Sequence, residues 1–157
     1  MSGRAGFRQN DSKADYQRHH LIPVSVSSNR NFCEYFDGVR RYTGFDLRDF
    51  SSNGIFLPCT ENTALASGRP LHRGPHPQYN GIVEQRVAKI FRIKAVEILD
   101  ISKQHRLLRK LQRSLHRGLS SNSRGFILNR RDPLARKIDF RCIDDDLERL
   151  WSATEPA

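Results

Sequence analysis

Four of the six histidines lie in two clusters whose residue types and spacing could form a catalytic centre. His19 and His20 are adjacent, whereas His72 and His76 are four residues apart, a spacing that lets two imidazoles meet one metal ion across a turn. Because neighbouring residues on a strand point to opposite sides, one member of the adjacent pair could bind metal while the other faces a water molecule. Three imidazoles around a metal ion, with a fourth as base, suit phosphodiester hydrolysis.

Two short strands would have to position these histidines. The segment HHLIPVSV (19–26) predicts an extended strand, because Pro23 keeps it from being helical. The segment NGIFLP (53–58) predicts a second strand, which Asn53 and Gly54 would enter through a turn. The adjacent histidines therefore belong to the first of two strands.

Helical periodicity of apolar residues predicts helices before and after the second strand. The segment after that strand is rich in Gly, Ser, Thr and Pro and predicts a loop, and a proline suits the first turn of the helix that follows. The predicted elements are a helix within 29–44 that stops at Gly44, a loop over 59–74, a helix from Pro75 or Pro77 with the apolar stripe Val83, Val87 and Ile90, and a helix over 95–119 with Leu108, Leu111 and Leu115 on one face.

The charge of the chain favours nucleic acid as its partner. The net charge is +10, and between Arg86 and Arg117 ten Lys or Arg residues face two acids, Glu97 and Asp100. A surface of one sign attracts nucleic acid first and an acidic membrane surface second. We expect contacts with the nucleic-acid backbone that are independent of base sequence and sensitive to salt.

Composition also bears on location. The three cysteines, Cys33, Cys59 and Cys142, are widely spaced and odd in number, which favours reduced thiols in a cytosolic setting. The N-terminal segment lacks the apolar stretch of a secretory signal, and no apolar run approaches the roughly 20 residues of a membrane span. We expect a cytoplasmic protein, or one that a secretion system delivers into a target cell.

Three segments together resemble a nuclease family. RHHLIPV, NGIFLP and HRGPHPQYN occur in that order within roughly residues 17–90, just over half of the chain. In this order they are similar to the AHH branch of the HNH, or ββα-metal (His-Me finger), nucleases. Arg18 stands where the family name has Ala.

The resemblance implies a role for each histidine of the two clusters. His19 would be a metal ligand and His20 the general base, with His72 and His76 completing the metal site. His72 precedes the predicted helix, so it could contact substrate instead. Asn53 would orient the base or hold the loop. One divalent ion is implied: imidazoles suit zinc, nickel or manganese, whereas magnesium prefers oxygen ligands and would bind more loosely.

Residues around the four histidines complete the predicted site. Tyr79 and Asn80 lie one turn beyond His76, where they could support a metal ligand from behind or contact a phosphate. The cations expected to contact the nucleic-acid backbone are Arg18, Arg73, Arg86, Lys89 and Arg92.

These observations predict an α+β fold with a ββα-metal core and a helix-rich C-terminal half. The predicted organisation is a flexible basic arm over 1–18, a nuclease domain with a basic helical extension over 19–119, and a C-terminal extension over 120–157 packed on the same domain. That extension would contain a short strand at 126–129 and a helix at 144–151, with acids at the start of the helix as its dipole prefers.

The predicted function is that of a metal-dependent endonuclease that cuts DNA with little sequence preference. Two alternatives use the same residues: a ribonuclease, and a non-catalytic nucleic-acid-binding protein with a structural metal. Many AHH relatives are toxin modules, so a bacterial toxin role is a further expectation, and it would imply a tight acidic immunity protein as partner. The sequence leaves the oligomeric state open.

Overall fold

The fold is α+β, as the sequence predicts. The structure is a computed structural model that describes residues 13–92, 98–120, 128–129, 131–134, 144–145 and 149. A small antiparallel sheet packs with helices, and none of the described helices is long and apolar enough to cross a membrane. The elements are β1 (Tyr16–His20), α1 (Cys33–Thr43), α2 (Phe50–Asn53), β2 (Gly54–Pro58), α3 (Glu61–Ser67), α4 (Pro77–Phe91) and α5 (Ile98–Ser120).

The two strands pair so that the adjacent histidines fall on opposite faces of the sheet. His19 lies opposite Ile55 and His20 lies opposite Gly54. His19 and Ile55 are buried, whereas Phe56, the next residue of β2, is 46% exposed. Because side chains alternate along a strand, His19 faces the core and His20 faces the other side.

The first strand begins earlier and ends earlier than predicted. Tyr16 already pairs with the end of β2, so the predicted arm over 1–18 is wrong for its last three residues. Pairing stops at His20, and Val24–Ser28 form a short 3-10 helix in which the Val26 N–H donates to the Pro23 carbonyl. Pro23 therefore ends the extended segment instead of lying within it.

The turn predicted at the start of the second strand is also wrong. Asn53 is the last residue of α2, and Gly54 has an ordinary extended conformation, with φ of −124°. The side chain of Asp49 accepts a hydrogen bond from the Ser51 N–H and so caps this one-turn helix. The two strands are thus joined by α1 and α2 and not by a hairpin turn.

The remaining helices follow the sequence prediction except for one. A helix of seven residues, α3, lies inside the predicted loop, between Thr60, whose side chain accepts from the Thr63 N–H, and Gly68. It is too short to show apolar periodicity, and its two caps were the signal that could have revealed it. The predicted stop of α1 at Gly44 is confirmed, since that residue has a left-handed conformation with φ of 72°.

The long helices α4 and α5 supply much of the core. The predicted start of α4 is confirmed at Pro77. The apolar stripes predicted for both helices are buried: Val83, Val87 and Ile90 on α4, and Leu108, Leu111 and Leu115 on α5. Burying a leucine side chain contributes about 1.5–3 kcal/mol, so the leucine face of α5 holds the helix against the rest of the fold.

The C-terminal predictions lie mostly outside the described residues. Leu128 and Asn129 form a bend and not a strand, and most of the predicted helix at 144–151 is not described. Two contacts join this part of the chain to the core. Asp132 accepts a hydrogen bond from the Leu71 N–H at 2.8 Å, and Asp144 pairs with Arg86 at 2.7 Å. The division into an arm, a nuclease domain and an extension stays a prediction.

One buried amide connects the strands to the helices. Asn53 Oδ1 accepts from the Ile22 N–H at 3.0 Å and from Gln112 Nε2 at 3.1 Å. Asn53 Nδ2 donates to the Ile22 and Leu47 carbonyls, both at 2.8 Å. The amide thus makes the four hydrogen bonds that its two donors and two lone pairs allow. It fixes the segment that leaves β1 against α2 and α5.

We predict that Asn53→Ala lowers the free energy of unfolding by about 3–5 kcal/mol, because several buried backbone and amide groups would lose their partner. Urea unfolding measures the change. The matched control is Asn62→Ala, at an exposed position of α3, which should stay within about 0.5 kcal/mol of wild type. Equal effects of the two substitutions would contradict the prediction.

Candidate active site

Three histidines come together at one side of the sheet. His19 comes from β1, His72 from the loop before α4, and His76 from the position that caps α4. One nitrogen from each ring lies within 4.8 Å of the others. The centroid of the His19 ring is 5.0 Å from the centroid of the His72 ring and 4.8 Å from that of the His76 ring. The structure therefore assembles the three residues predicted to bind metal.

Backbone contacts hold the segment that carries His72 and His76. The His72 N–H donates to the Pro58 carbonyl at 2.7 Å, which ties the loop to the end of β2. The preceding residue, Leu71, donates to Asp132, and Asn129 donates to the Arg73 carbonyl. His72 lies outside the helix, as predicted, but these contacts keep its ring beside His76.

Burial keeps the imidazoles of His19 and His72 neutral. His19 is 2% exposed. Its pKa is lowered to about 2, first by burial and then by the neighbouring His76, His72 and His20. The pKa of His72 is lowered to about 4, again by burial and then by His76. A metal binds the neutral form of histidine, so these rings present lone pairs at neutral pH.

Unpartnered nitrogens in the cluster fit a metal ion. His19 Nε2 and His72 Nδ1 are buried and have no hydrogen-bond partner among the residues that the structure describes. Buried polar atoms normally have partners. His72 Nε2 lies 3.3 Å from His76 Nε2. Tetrahedral zinc with bonds of 2.0–2.1 Å places its ligand nitrogens about 3.3–3.4 Å apart. The donor type of the three rings, the unpartnered His19 Nε2 and the spacing of His72 and His76 thus suit a divalent ion.

The neighbours predicted on α4 support the cluster from behind. His76 Nδ1 donates to Asn80 Oδ1 at 2.9 Å, which directs the other nitrogen, Nε2, towards the cluster. The Tyr79 ring packs against His19, with centroids 5.1 Å apart, and its hydroxyl donates to the Leu21 carbonyl at 2.7 Å. Burial raises the pKa of Tyr79. Tyr79 is therefore turned towards the backbone and not towards a phosphate.

His20 stands apart from the cluster. Its half-buried ring meets the edge of Phe50, with centroids 5.7 Å apart. The Arg18 guanidinium carbon lies 4.0 Å from the centre of the same Phe50 ring. The pKa of His20 is lowered, first by burial and then by Arg18. Arg18, at the Ala position of the motif, thus helps to form the surroundings of His20.

Gly54 leaves the space that Phe50 occupies beside His20. It lies opposite His20, and a Cβ placed on it would overlap the ring and the carbonyl oxygen of Phe50. A glycine is needed here because Phe50 approaches closely, not because a turn is made. No side chain from β2 then covers His20 directly across the sheet.

Asn53 does not reach the surface of the site. It is fully buried, and its amide is committed to Ile22, Leu47 and Gln112. Its backbone carbonyl also accepts from the Leu21 N–H, directly after His20. Two roles were predicted for Asn53, to orient the base or to hold the loop, and its contacts agree with the second.

The cations predicted to contact nucleic acid differ in their availability. Arg18, Lys89 and Arg92 are exposed, as is Arg73, which pairs with Glu61 at 3.7 Å. Arg86 is only 14% exposed and forms an ion pair with Asp144, so it is less available than the exposed cations. The sequence did not indicate this pair, because a basic residue on a helix shows no sign of a partner 58 positions away.

Sequence reasoning also missed residues that support the site. Gln112 and Asp132 are buried polar residues with specific partners. Gln112 lies among the leucines on the apolar face of α5, and a polar residue at such a position was the available signal. No comparable pattern marks Asp132.

A two-stranded antiparallel sheet followed by a helix, with clustered histidines at the strand and at the helix start, defines a ββα-metal type of site. A family model described as a nuclease family of the HNH/ENDO VII superfamily with conserved AHH matches residues 2–115. The chain belongs to this AHH nuclease family. No curated protein and no solved structure matches the chain.

We predict that Asn80→Ala weakens zinc binding tenfold to a hundredfold, because His76 would lose the partner that orients it. Isothermal titration of the metal-free protein with Zn²⁺ measures this affinity. Gln78→Ala, at an exposed position in the same helix, is the matched control and should bind zinc as wild type does. Wild-type affinity in the Asn80 variant would show that the contact does not orient a ligand.

Proposed function

We propose that this nuclease is a metal-dependent endonuclease that hydrolyses the phosphodiester bonds of DNA with little sequence preference. The observation that carries the proposal is the division of the adjacent histidines between two environments. His19 lies within a group of three imidazoles, whereas His20 lies on the other face of β1. A hydrolytic site needs both a metal site and a separate base.

His19, His72 and His76 would hold one divalent ion. The bound ion would supply charge neutralisation at the scissile phosphate and stabilisation of the leaving oxygen. Asn80 fixes the orientation of His76, and Tyr79 packs behind His19. These contacts hold the rings of His76 and His19 in place.

His20 would act as the general base. One of its imidazole nitrogens accepts a proton from water as the water oxygen attacks phosphorus, and the bond from phosphorus to the leaving oxygen breaks. Phe50 holds the ring from one side, and Gly54 leaves the facing position of β2 without a side chain. Asn53 acts as a positioning residue, since it holds the backbone directly after His20.

The number of ligands argues against a structural metal site. A closed structural site takes four protein ligands, whereas a catalytic one keeps a position open. Within the part of the chain that the structure describes, the His, Cys, Asp and Glu side chains gathered at metal-binding distance are His19, His72 and His76. The absence of His20 from this group favours the catalytic proposal.

The net charge of +10 supports a polyanionic substrate. The same charge would suit the acidic immunity protein that a toxin role requires. DNA and RNA share the phosphodiester group, so the nuclease assay compares both.

We predict that His20→Ala lowers the rate of plasmid cleavage by a factor of roughly 10²–10⁴, the usual contribution of a general base, while the protein keeps its metal. Cleavage is followed with Mg²⁺, Mn²⁺, Ni²⁺ or Zn²⁺ added, and EDTA should abolish it. The matched control is Gln17→Ala, an exposed residue of the same strand, which should cut as wild type does.

Metal content and a parallel RNA substrate complete this test. A wild-type protein that binds plasmid but cuts neither plasmid nor RNA with any metal would overturn the proposed function. Loss of the metal from His20→Ala would instead make His20 a ligand, as the structural alternative requires. Cleavage of RNA but not of plasmid would favour the ribonuclease.

A further inference from the structure

The outer face of α5 forms a concave surface of one charge, called here the α5 groove. Its volume is about 690 Å³, and the cations that line it are Arg106, Arg109, Lys110, Arg113 and Arg117. No acidic residue occurs in α5 after Asp100. The leucines of the helix face inwards, so the periodicity that builds the core also gathers the cations outside.

The spacing of these cations suits an extended polyanion. Positions 106, 109, 113 and 117 follow one another at steps of three or four residues, and 110 lies four residues after 106, so all five share one face of the helix. From 106 to 117 the helix rises about 16 Å, which is close to the rise of about five base pairs of DNA. One strand could therefore place several phosphates along the groove.

Three of the five cations in the groove have no acidic partner among the described residues. Arg106, Lys110 and Arg113 form no ion pair with a described residue. Arg109 donates to Gln112 Oε1, a neutral acceptor, at 3.3 Å. The contrast with Arg86 on α4, which Asp144 neutralises, points to α5 as the surface for a polyanion.

The groove adjoins a second cavity near the end of β1 that carries His20. This cavity, of about 360 Å³, is lined by Arg109 and Arg113 and also by Leu21, Ser51 and Gly54. Leu21 follows His20 in the chain, and Gly54 lies opposite His20 in the sheet. Arg109 and Arg113 thus border a cavity that reaches two neighbours of His20, one in the chain and one across the sheet.

We propose that the α5 groove binds the phosphate backbone of the substrate nucleic acid and guides a strand to His20. The inference rests on the proposed function, because it names the surface that delivers substrate to that site. Within the basic stretch 86–117 of the sequence prediction, it makes α5 the main backbone contact. Binding there is independent of base sequence and falls steeply as salt is raised.

The test measures binding of a fluorescein-labelled 20-base-pair DNA duplex by anisotropy, in EDTA and over a range of salt concentrations. Arg106→Gln combined with Arg113→Gln should lower the salt slope by about 2 and weaken binding roughly 50-fold at about 0.1 M salt, since each lost phosphate contact contributes about 0.9 to the slope. Both positions are exposed, and glutamine keeps a helix propensity like that of arginine.

Two controls separate the groove from net charge and from folding. Arg30→Gln combined with Arg41→Gln removes the same charge from exposed positions outside the groove and should leave binding within about threefold of wild type. Arg106→Lys combined with Arg113→Lys keeps the charge and should bind like wild type even if the glutamine variant folds poorly. Melting curves show which variants are folded.

An unchanged affinity and salt slope in a folded glutamine variant would overturn the inference, as would an equal loss in the Arg30 and Arg41 control. Wild-type cleavage with metal is measured separately and tests the proposed function alone, since binding in EDTA needs no turnover. The two assays therefore give separate answers. Cleavage without an effect of the groove substitutions contradicts the groove alone, and groove-dependent binding without cleavage contradicts the nuclease function alone.

Discussion

The site depends on the hydrogen bonds of one buried side chain, the amide of Asn53. This amide joins the segment after β1 to the end of α2, and through Gln112 it reaches α5. Arg109, which lines the α5 groove, donates to the same Gln112. A chain of hydrogen bonds thus runs from the backbone next to His20 to the cations outside. Buried networks of this kind specify one arrangement because each unsatisfied member would be costly.

The strand then divides the work between two identical side chains. Alternation along β1 places His19 among its partners in the core, where burial keeps it neutral, and leaves His20 on the more open face. In the proposed mechanism neither ring could take both positions, since a metal ligand needs fixed neighbours and a base needs access to water and substrate. Two adjacent histidines on a strand are the shortest sequence that meets both needs.

The sequence predicts the parts of this site that rest on residue type and regular spacing. The three clustered histidines and the apolar stripes of α4 and α5 are found as expected. The errors at Asn53 and Gly54 have a common cause. Both residues favour turns, but here the amide is needed as a buried partner and the glycine as space for Phe50, and such needs arise only from contacts distant in sequence. The partner of Arg86 is hidden in the same way.

The helix α5 shows why the site and the substrate surface must fold together. Its leucines belong to the core, its arginines line the groove, and Gln112 sits between these two faces. Displacement of the helix would therefore change both the hydrogen bond from Gln112 to Asn53 and the position of the groove. In the proposed nuclease, the same side-chain packing therefore sets the distance between the α5 groove and the backbone next to His20.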